Sequence, residues 1–257
     1  FASGFLPTTA GAGWLDWNDD GYPDLLLGGD EEPVELYENL GPPDFHFRDV
    51  TAEAGLEDVV GVIAVDILTV HGRPAIALAA QPDDGLWELQ VWKQPASAQP
   101  FRKSVVSQWL NPYLLAHGDL DGDGDHDLIT SVALECASLV AEPIGLFRYD
   151  NDLGTFWTTN AEHWPAPGCL GVPTVTDYGA TGRPVVLYTN DYGVIHTPTA
   201  VLGDSLDRAL PAVYGMGIAV GDFNGDLISD YYFTSVREDA HWLSSQAGFD
   251  YGPALAN

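Results

Sequence analysis

Three stretches of the chain place oxygen-bearing side chains at the first, third, fifth and ninth positions of a short loop. They read Asp16-Trp17-Asn18-Asp19-Asp20-Gly21-Tyr22-Pro23-Asp24, Asp119-Leu120-Asp121-Gly122-Asp123-Gly124-Asp125-His126-Asp127 and Asp222-Phe223-Asn224-Gly225-Asp226-Leu227-Ile228-Ser229-Asp230. A tight turn can aim those side chains at one centre, while the backbone carbonyl at position seven (Tyr22, Asp125 or Ile228) completes a shell of about six or seven oxygens. Such a shell suits calcium, expected here as about three structural ions, one per loop. Magnesium demands a stricter octahedron, and zinc would want His or Cys. The loops are not EF-hands, because the place of the bidentate Glu is taken by Leu27, Thr130 and Phe233. The plain alternative, a solvated acidic turn, has to account for three copies with one ligand spacing.

Each loop sits between two apolar runs, and that arrangement recurs. Gly13 to Asp16 precedes Leu25 to Leu27, Ile63 to Asp66 precedes Ala75 to Leu78, and Ala116 to Asp119 precedes Leu128 to Thr130. Thr174 to Asp177 precedes Val185 to Leu187, and Ala219 to Asp222 precedes Tyr231 to Phe233. The marker aspartates fall 45 to 58 residues apart, the length of a four-stranded propeller blade. Outer strands are expected at Val34–Tyr37 and Phe45–Val50, at Leu86–Trp92 and Phe101–Val106, and at Ile144–Tyr149 and Phe156–Thr159. The last two units offer Gly193–His196 with Ala200–Leu202, and His241–Ser244 with Phe249–Tyr251. Helical pattern is confined to Thr51–Gly55 and Ser205–Leu210.

The expected fold is therefore all-β, a single β-propeller domain over 1–257 with five four-stranded blades. The blades run at about 13–56, 62–108, 113–160, 172–204 and 216–257, with 1–12 closing the last. The alternative is part of a six- or seven-bladed ring, since repeat units need neighbours to cover their faces. In the second and fourth units the marker is followed by Gly72-Arg73-Pro74 or Gly182-Arg183-Pro184. Arg73 and Arg183 can fold back on Asp66 and Asp177 as fixed cations, or Gly-Arg-Pro can simply make a polar turn.

The loops resemble the calcium turns of FG-GAP and VCBS repeats, found in integrin α-chain propellers and many secreted bacterial proteins. Leu36-Tyr37-Glu38-Asn39, Phe47 to Leu56 and Tyr214 to Ala219 are similar to the repeats of cartilage acidic protein relatives and the ASPIC/UnbV group. The resemblance implies calcium held between two strands of a blade in an extracellular, cell-surface or periplasmic propeller. Leu227 departs from it, because the family has Gly there and a side chain makes the turn costlier.

The 38 acidic residues outweigh 9 basic ones, for a formal charge of −29. That field repels phosphate backbones, so nucleic acid is excluded as a partner. No apolar run reaches the length of a membrane span, which argues against direct membrane insertion. The start at Phe1 reads as a processed or trimmed product. Cys136 and Cys169, outside the cell, would form one disulfide.

No nucleophile elbow, zinc helix, phosphate loop or dinucleotide fingerprint is present. His117 reads as strand packing and His126 as loop filler, while carboxylate pairs carry no information in so acidic a chain. Trp14, Trp87 and Trp92 read as blade packing; Trp109, Trp157, Trp164 and Trp242 are freer to stack on sugars. The expectation is a non-enzymatic binding or adhesion module for a protein or glycan ligand. The alternatives are a secreted hydrolase or lyase, or an accessory domain of one, and a structural subunit working with a partner chain in a larger surface assembly.

Overall fold

Runs rich in Val, Ile, Leu and aromatic residues, cut at short intervals by Gly, Pro and Asp, favour many short strands joined by tight turns. The computed structural model has this organisation. It describes residues 11–29, 33–81, 87–107, 112–132, 145–149, 151–152, 155–156, 162–165, 173–177, 184–188, 194–195, 208–209, 215–235, 240–245 and 248–253. Among them there is no helix.

The first sheet is β1 (Ala12–Leu15), β2 (Asp24–Leu27), β3 (Glu35–Asn39) and β4 (Phe47–Asp49), hydrogen-bonded in that order. The second is β5 (Val62–Val70), β6 (Arg73–Ala80), β7 (Glu88–Lys93) and β8 (Arg102–Ser107). The third joins β9 (Pro112–Gly118), β10 (Asp127–Val132), β11 (Gly145–Tyr149) and β14 (Glu162–Pro165). A separate hairpin, β12 (Asn151–Asp152) with β13 (Thr155–Phe156), lies between β11 and β14 in sequence. Of the expected outer strand at Phe156–Thr159, Phe156 belongs to this hairpin and β14 lies at the edge of the blade, while residues 157–159 lie outside the described residues. Then come the pairs β15 (Thr174–Thr176) with β16 (Val185–Leu187) and β17 (Val194–Ile195) with β18 (Arg208–Ala209). The last sheet is β19 (Gly215–Gly221), β20 (Asp230–Ser235), β21 (Ala240–Ser245) and β22 (Gly248–Pro253).

These sheets are the blades of a β-propeller, the fold class expected. The proposed helix at Ser205–Leu210 is replaced by β18 where the chain is described, and Thr51–Gly55 makes turns rather than a helix. There Ala54 N–H donates to the Val50 carbonyl, but Gly55, at φ 72, breaks the run. The expected strand at Ala200–Leu202 and the first ten residues of the closing segment lie outside the described residues.

Two compact units divide the chain: 1–115 with 149–161, and 116–148 with 162–257. In the first, Leu15, Leu26, Leu36, Val50, Ile76 and Leu78 share one buried cluster. Full burial of each such side chain stabilises by about 1.5–3 kcal/mol. Gly13 lets β1 lie against β5, because a side chain there would meet Ile67. In the second unit Ala116, Leu120, Ile129, Val186 and Tyr188 form a smaller cluster.

One marker behaves differently from the rest. The strand carrying Asp66 does not end there but runs on to Val70, and the turn falls at His71-Gly72, both at positive φ (51 and 69). Val70 pairs with Arg73 across this two-residue hairpin, a geometry that matches strand twist. The β-rich run Ile67 to Val70 therefore overrides the aspartate as a strand terminator.

Candidate functional site

Each acidic loop begins where an inner strand ends, and its first aspartate caps the amides that the turn leaves unpaired. Asp16 takes the amides of Asp20 (3.1 Å) and Gly21 (2.8 Å). Asp119 takes those of Gly122 (2.7 Å), Asp123 (3.1 Å) and Gly124 (3.0 Å). Asp222 takes those of Gly225 (2.7 Å), Asp226 (3.1 Å) and Leu227 (2.9 Å).

The third and fifth positions continue the pattern. Asn18, Asp121 and Asn224 each accept the amide of the fifth residue, at 3.1, 3.2 and 2.9 Å. Asp20, Asp123 and Asp226 accept the amide of the seventh, Tyr22, Asp125 or Ile228, at 2.8, 2.9 and 2.9 Å. Positions four and six take positive φ in every loop: Asp19 and Gly21, Gly122 and Gly124, Gly225 and Leu227. Leu227 holds φ 66 with its side chain 91% exposed, so the departure from glycine is met by strain and no burial compensates it.

The ninth residues turn inward. Asp24, Asp127 and Asp230 are buried and accept the amide of the second loop residue, Trp17 (2.9 Å), Leu120 (3.1 Å) and Phe223 (2.7 Å). Asp24 also accepts the Asn39 amide at 2.7 Å. Burial raises its carboxyl above the usual 3.8; the Asn39 and Trp17 amides pull it back, and Asp20 and Asp16 push it further up. The sequence pattern counted these aspartates with the ligands; each also ties its loop to the next strand.

In loop two the carboxylates of Asp119, Asp121 and Asp123 offer oxygens within 4.8 Å of one another, a cluster that could hold a metal ion. All three donors are hard oxygens with acceptor capacity left after their amide bonds, which suits a hard divalent cation. His117 and His126 flank this loop with their rings stacked, centroids 4.7 Å apart.

Loop one has other company. The Asn18 amide Nδ2 donates to Asp20 (3.0 Å) and to Glu38 (2.9 Å), and Arg48 donates to Glu38 from Nε (2.9 Å) and Nη2 (2.5 Å). The Trp17 carbonyl accepts from Gln94 Nε2 (3.1 Å) and the Ala98 amide (3.0 Å), and the Asn18 carbonyl from the Ser97 hydroxyl (2.5 Å). Arg73 lies 3.8 Å from Asp19, not on Asp66, so its expected fold-back is corrected: the longer β5 carries Arg73 beyond its own marker. Arg183 lies outside the described residues.

A cleft of about 440 Å³ opens beside β3 and β4, lined by the carboxylates of Glu35, Asp49, Glu53 and Glu57 with Pro33 and Val50. The Thr51 amide and hydroxyl hold Asp49 below its ordinary 3.8, so it stays ionised. Tyr37 donates its hydroxyl to Glu35 at 3.0 Å, which raises the phenol above 10.0. These residues come from two strands and a turn, and no spacing rule in the sequence joins them. Trp14, expected as packing, is 60% exposed and tilts against Phe47 at 6.5 Å. Trp92 packs against the core as expected, whereas Trp109 and Trp157 lie outside the described residues.

No protein-family model and no curated protein matches the chain. Among solved structures it is similar to a thermostable family-43 glycoside hydrolase, at 12% identity and a TM-score of 0.56, over 96% of this chain and 95% of that one. It is also similar to the GH43_1 enzyme from Xanthomonas citri complexed with xylose, at 14% identity and a TM-score of 0.51, over 97% and 88% of the two chains. The same enzyme complexed with xylotriose gives 12% identity and a TM-score of 0.52, over 97% and 89%. At these identities the likeness shows the fold, a β-propeller whose solved counterparts have five blades.

Two expectations are corrected by these likenesses. The resemblance of the loops to FG-GAP, VCBS and ASPIC/UnbV repeats does not carry the family, because the solved propellers named above are glycoside hydrolases of family 43. Those propellers are enzymes, which overturns the non-catalytic adhesion module and the expectation of no enzymatic activity. No disulfide occurs among the described residues, and Cys136 and Cys169 both lie outside them.

Proposed function

We propose that this chain is a glycan hydrolase built as one propeller domain over 1–257, working outside the cell, at its surface or in the periplasm. The observation that carries the reading is the fold likeness over nearly the whole of both chains to a glycoside hydrolase. A fold does not fix a function, so the chemistry has to come from the chain's own carboxylates. Glycosidic cleavage needs two of them, one to protonate the leaving oxygen and one to activate water or attack the sugar. Asp49, kept ionised by Thr51, suits the second role, and Glu35, which lines the same cleft, is the carboxyl we assign to the first. Xylose and xylotriose, bound by the Xanthomonas citri enzyme, make xylo-oligosaccharides the substrates of first choice.

In the same reading Asp119, Asp121 and Asp123 hold calcium, with loops one and three as further sites built on Asp16, Asn18 and Asp20 and on Asp222, Asn224 and Asp226. Bound calcium supplies positive charge that offsets the repulsion of stacked carboxylates. The residues themselves set the turn by the amide contacts described above. A panel of aryl glycosides, aryl xylosides included, tests the reaction class with the full chain. Release of the aryl alcohol is expected, with Asp49→Asn and Glu35→Gln each lowering it at least about a hundredfold. Turnover on no member of the panel overturns the reading.

A further inference from the structure

We propose that Asn224, the third residue of loop three, is a site of spontaneous deamidation. Asn224-Gly225 is the single Asn-Gly pair in the chain. The Gly225 nitrogen attacks the side-chain carbonyl carbon of Asn224, and a C–N bond forms that closes a succinimide ring. The bond from that carbon to Nδ2 breaks, and ammonia leaves with the proton given up by the Gly225 N–H. Water then opens the ring at either carbonyl, giving an aspartyl or an isoaspartyl residue. Water is the only co-reactant.

The loop favours each part of this step. Asn224 and Gly225 are both exposed, Gly225 has no side chain to hinder its own nitrogen, and the space its side chain would occupy is open. The Gly225 N–H already donates to Asp222 at 2.7 Å, which puts a carboxylate within reach of the proton that must leave. The carbonyl under attack accepts the Asp226 amide at 2.9 Å, which polarises it.

Loop one supplies an internal control. Asn18 is followed by Asp19, whose side chain crowds the attacking nitrogen, and its Nδ2 is held by Asp20 and Glu38 at 3.0 and 2.9 Å. Loop two repeats the Gly122 contact to Asp119 at 2.7 Å, but its third residue, Asp121, is already a carboxylate. Deamidation therefore moves loop three towards the three-carboxylate set of loop two, and adds one negative charge to the chain.

The test keeps the folded full chain in warm, mildly alkaline buffer and follows it by peptide mapping that separates aspartyl from isoaspartyl products. Conversion at Asn224 several-fold faster than at Asn18 is expected, together with an acidic charge variant that Asn224→Gln abolishes. Retention of the Asn224 amide for as long as that of Asn18 overturns the proposal. So does conversion that begins only once denaturant is added.

Discussion

Loop one and loop two share ligand spacing, amide contacts and positive-φ positions, yet their surroundings differ. Loop one is fastened from outside: Gln94, Ser97 and Ala98 bond the carbonyls of Trp17 and Asn18, Arg73 approaches Asp19, and Arg48 acts on Glu38, which accepts from Asn18. Loop two gathers Asp119, Asp121 and Asp123 into one acidic cluster. The shared spacing writes the turn; if the neighbours set how far it depends on a cation, the two loops should differ in their response to calcium. In loop one the Arg73 guanidinium beside Asp19 and the Asn18 amide NH₂ bring donors to the acidic oxygens, part of what a bound cation would do.

The comparison is most exposed to failure at the buried ninth position. Asp24→Ala strips the acceptor from the Trp17 and Asn39 amides, and two buried unpaired donors cost about 3 kcal/mol. A drop in denaturant midpoint at constant slope reads this. The pH dependence has a definite sign: with the folded Asp24 carboxyl raised above 3.8, its contribution to stability declines as pH rises from 3.8 through the folded value and is level beyond. A purely solvated turn would show neither effect.

Chelation sharpens the contrast next. Millimolar calcium stabilises a loop of this kind by about 0.4–1.4 kcal/mol. Asp121→Asn should remove most of the calcium-dependent rise in Tm, while Asn18→Ala leaves most of it. An equal loss from both variants would mean that the neighbours do not matter. Leu227→Gly relieves a left-handed side chain that buries nothing, and thermal unfolding should show a gain of about 0.5 kcal/mol. Smallest of all, Arg73→Ala should cost only about 0.3 kcal/mol, because its contact with Asp19 is long and exposed. It should also make loop one slightly more responsive to calcium.

The strands and turns were legible because period-two patterning and Asp-Gly punctuation are local signals. Leu15, Leu26 and Leu36 face the core, and the three loops have the expected turns. What was not legible depended on partners distant in sequence. Asp66 looked like a strand end until pairing with Ala77 carried β5 through it. Phe156 is a local exception: it pairs with Asn151 in a short hairpin that the blade period does not foresee. Asp24 looked like a ligand alone until Asn39, 15 residues on, claimed one of its oxygens. The cleft needs Glu35 from β3, Asp49 from β4 and Glu53 from the turn beyond. The same locality explains the family error: a nine-residue acidic turn solves a hairpin problem in many propellers, so it identified the turn and overreached on the family.

The most direct test of the hydrolase reading is the time course of the folded full chain on xylotriose, with calcium held constant and sugar products separated by size. Xylose and xylobiose are expected from the unsubstituted chain, with at least about a hundredfold less from Asp49→Asn at unchanged thermal stability. Intact xylotriose with the unsubstituted chain, or undiminished cleavage by Asp49→Asn and by Glu35→Gln, would contradict it.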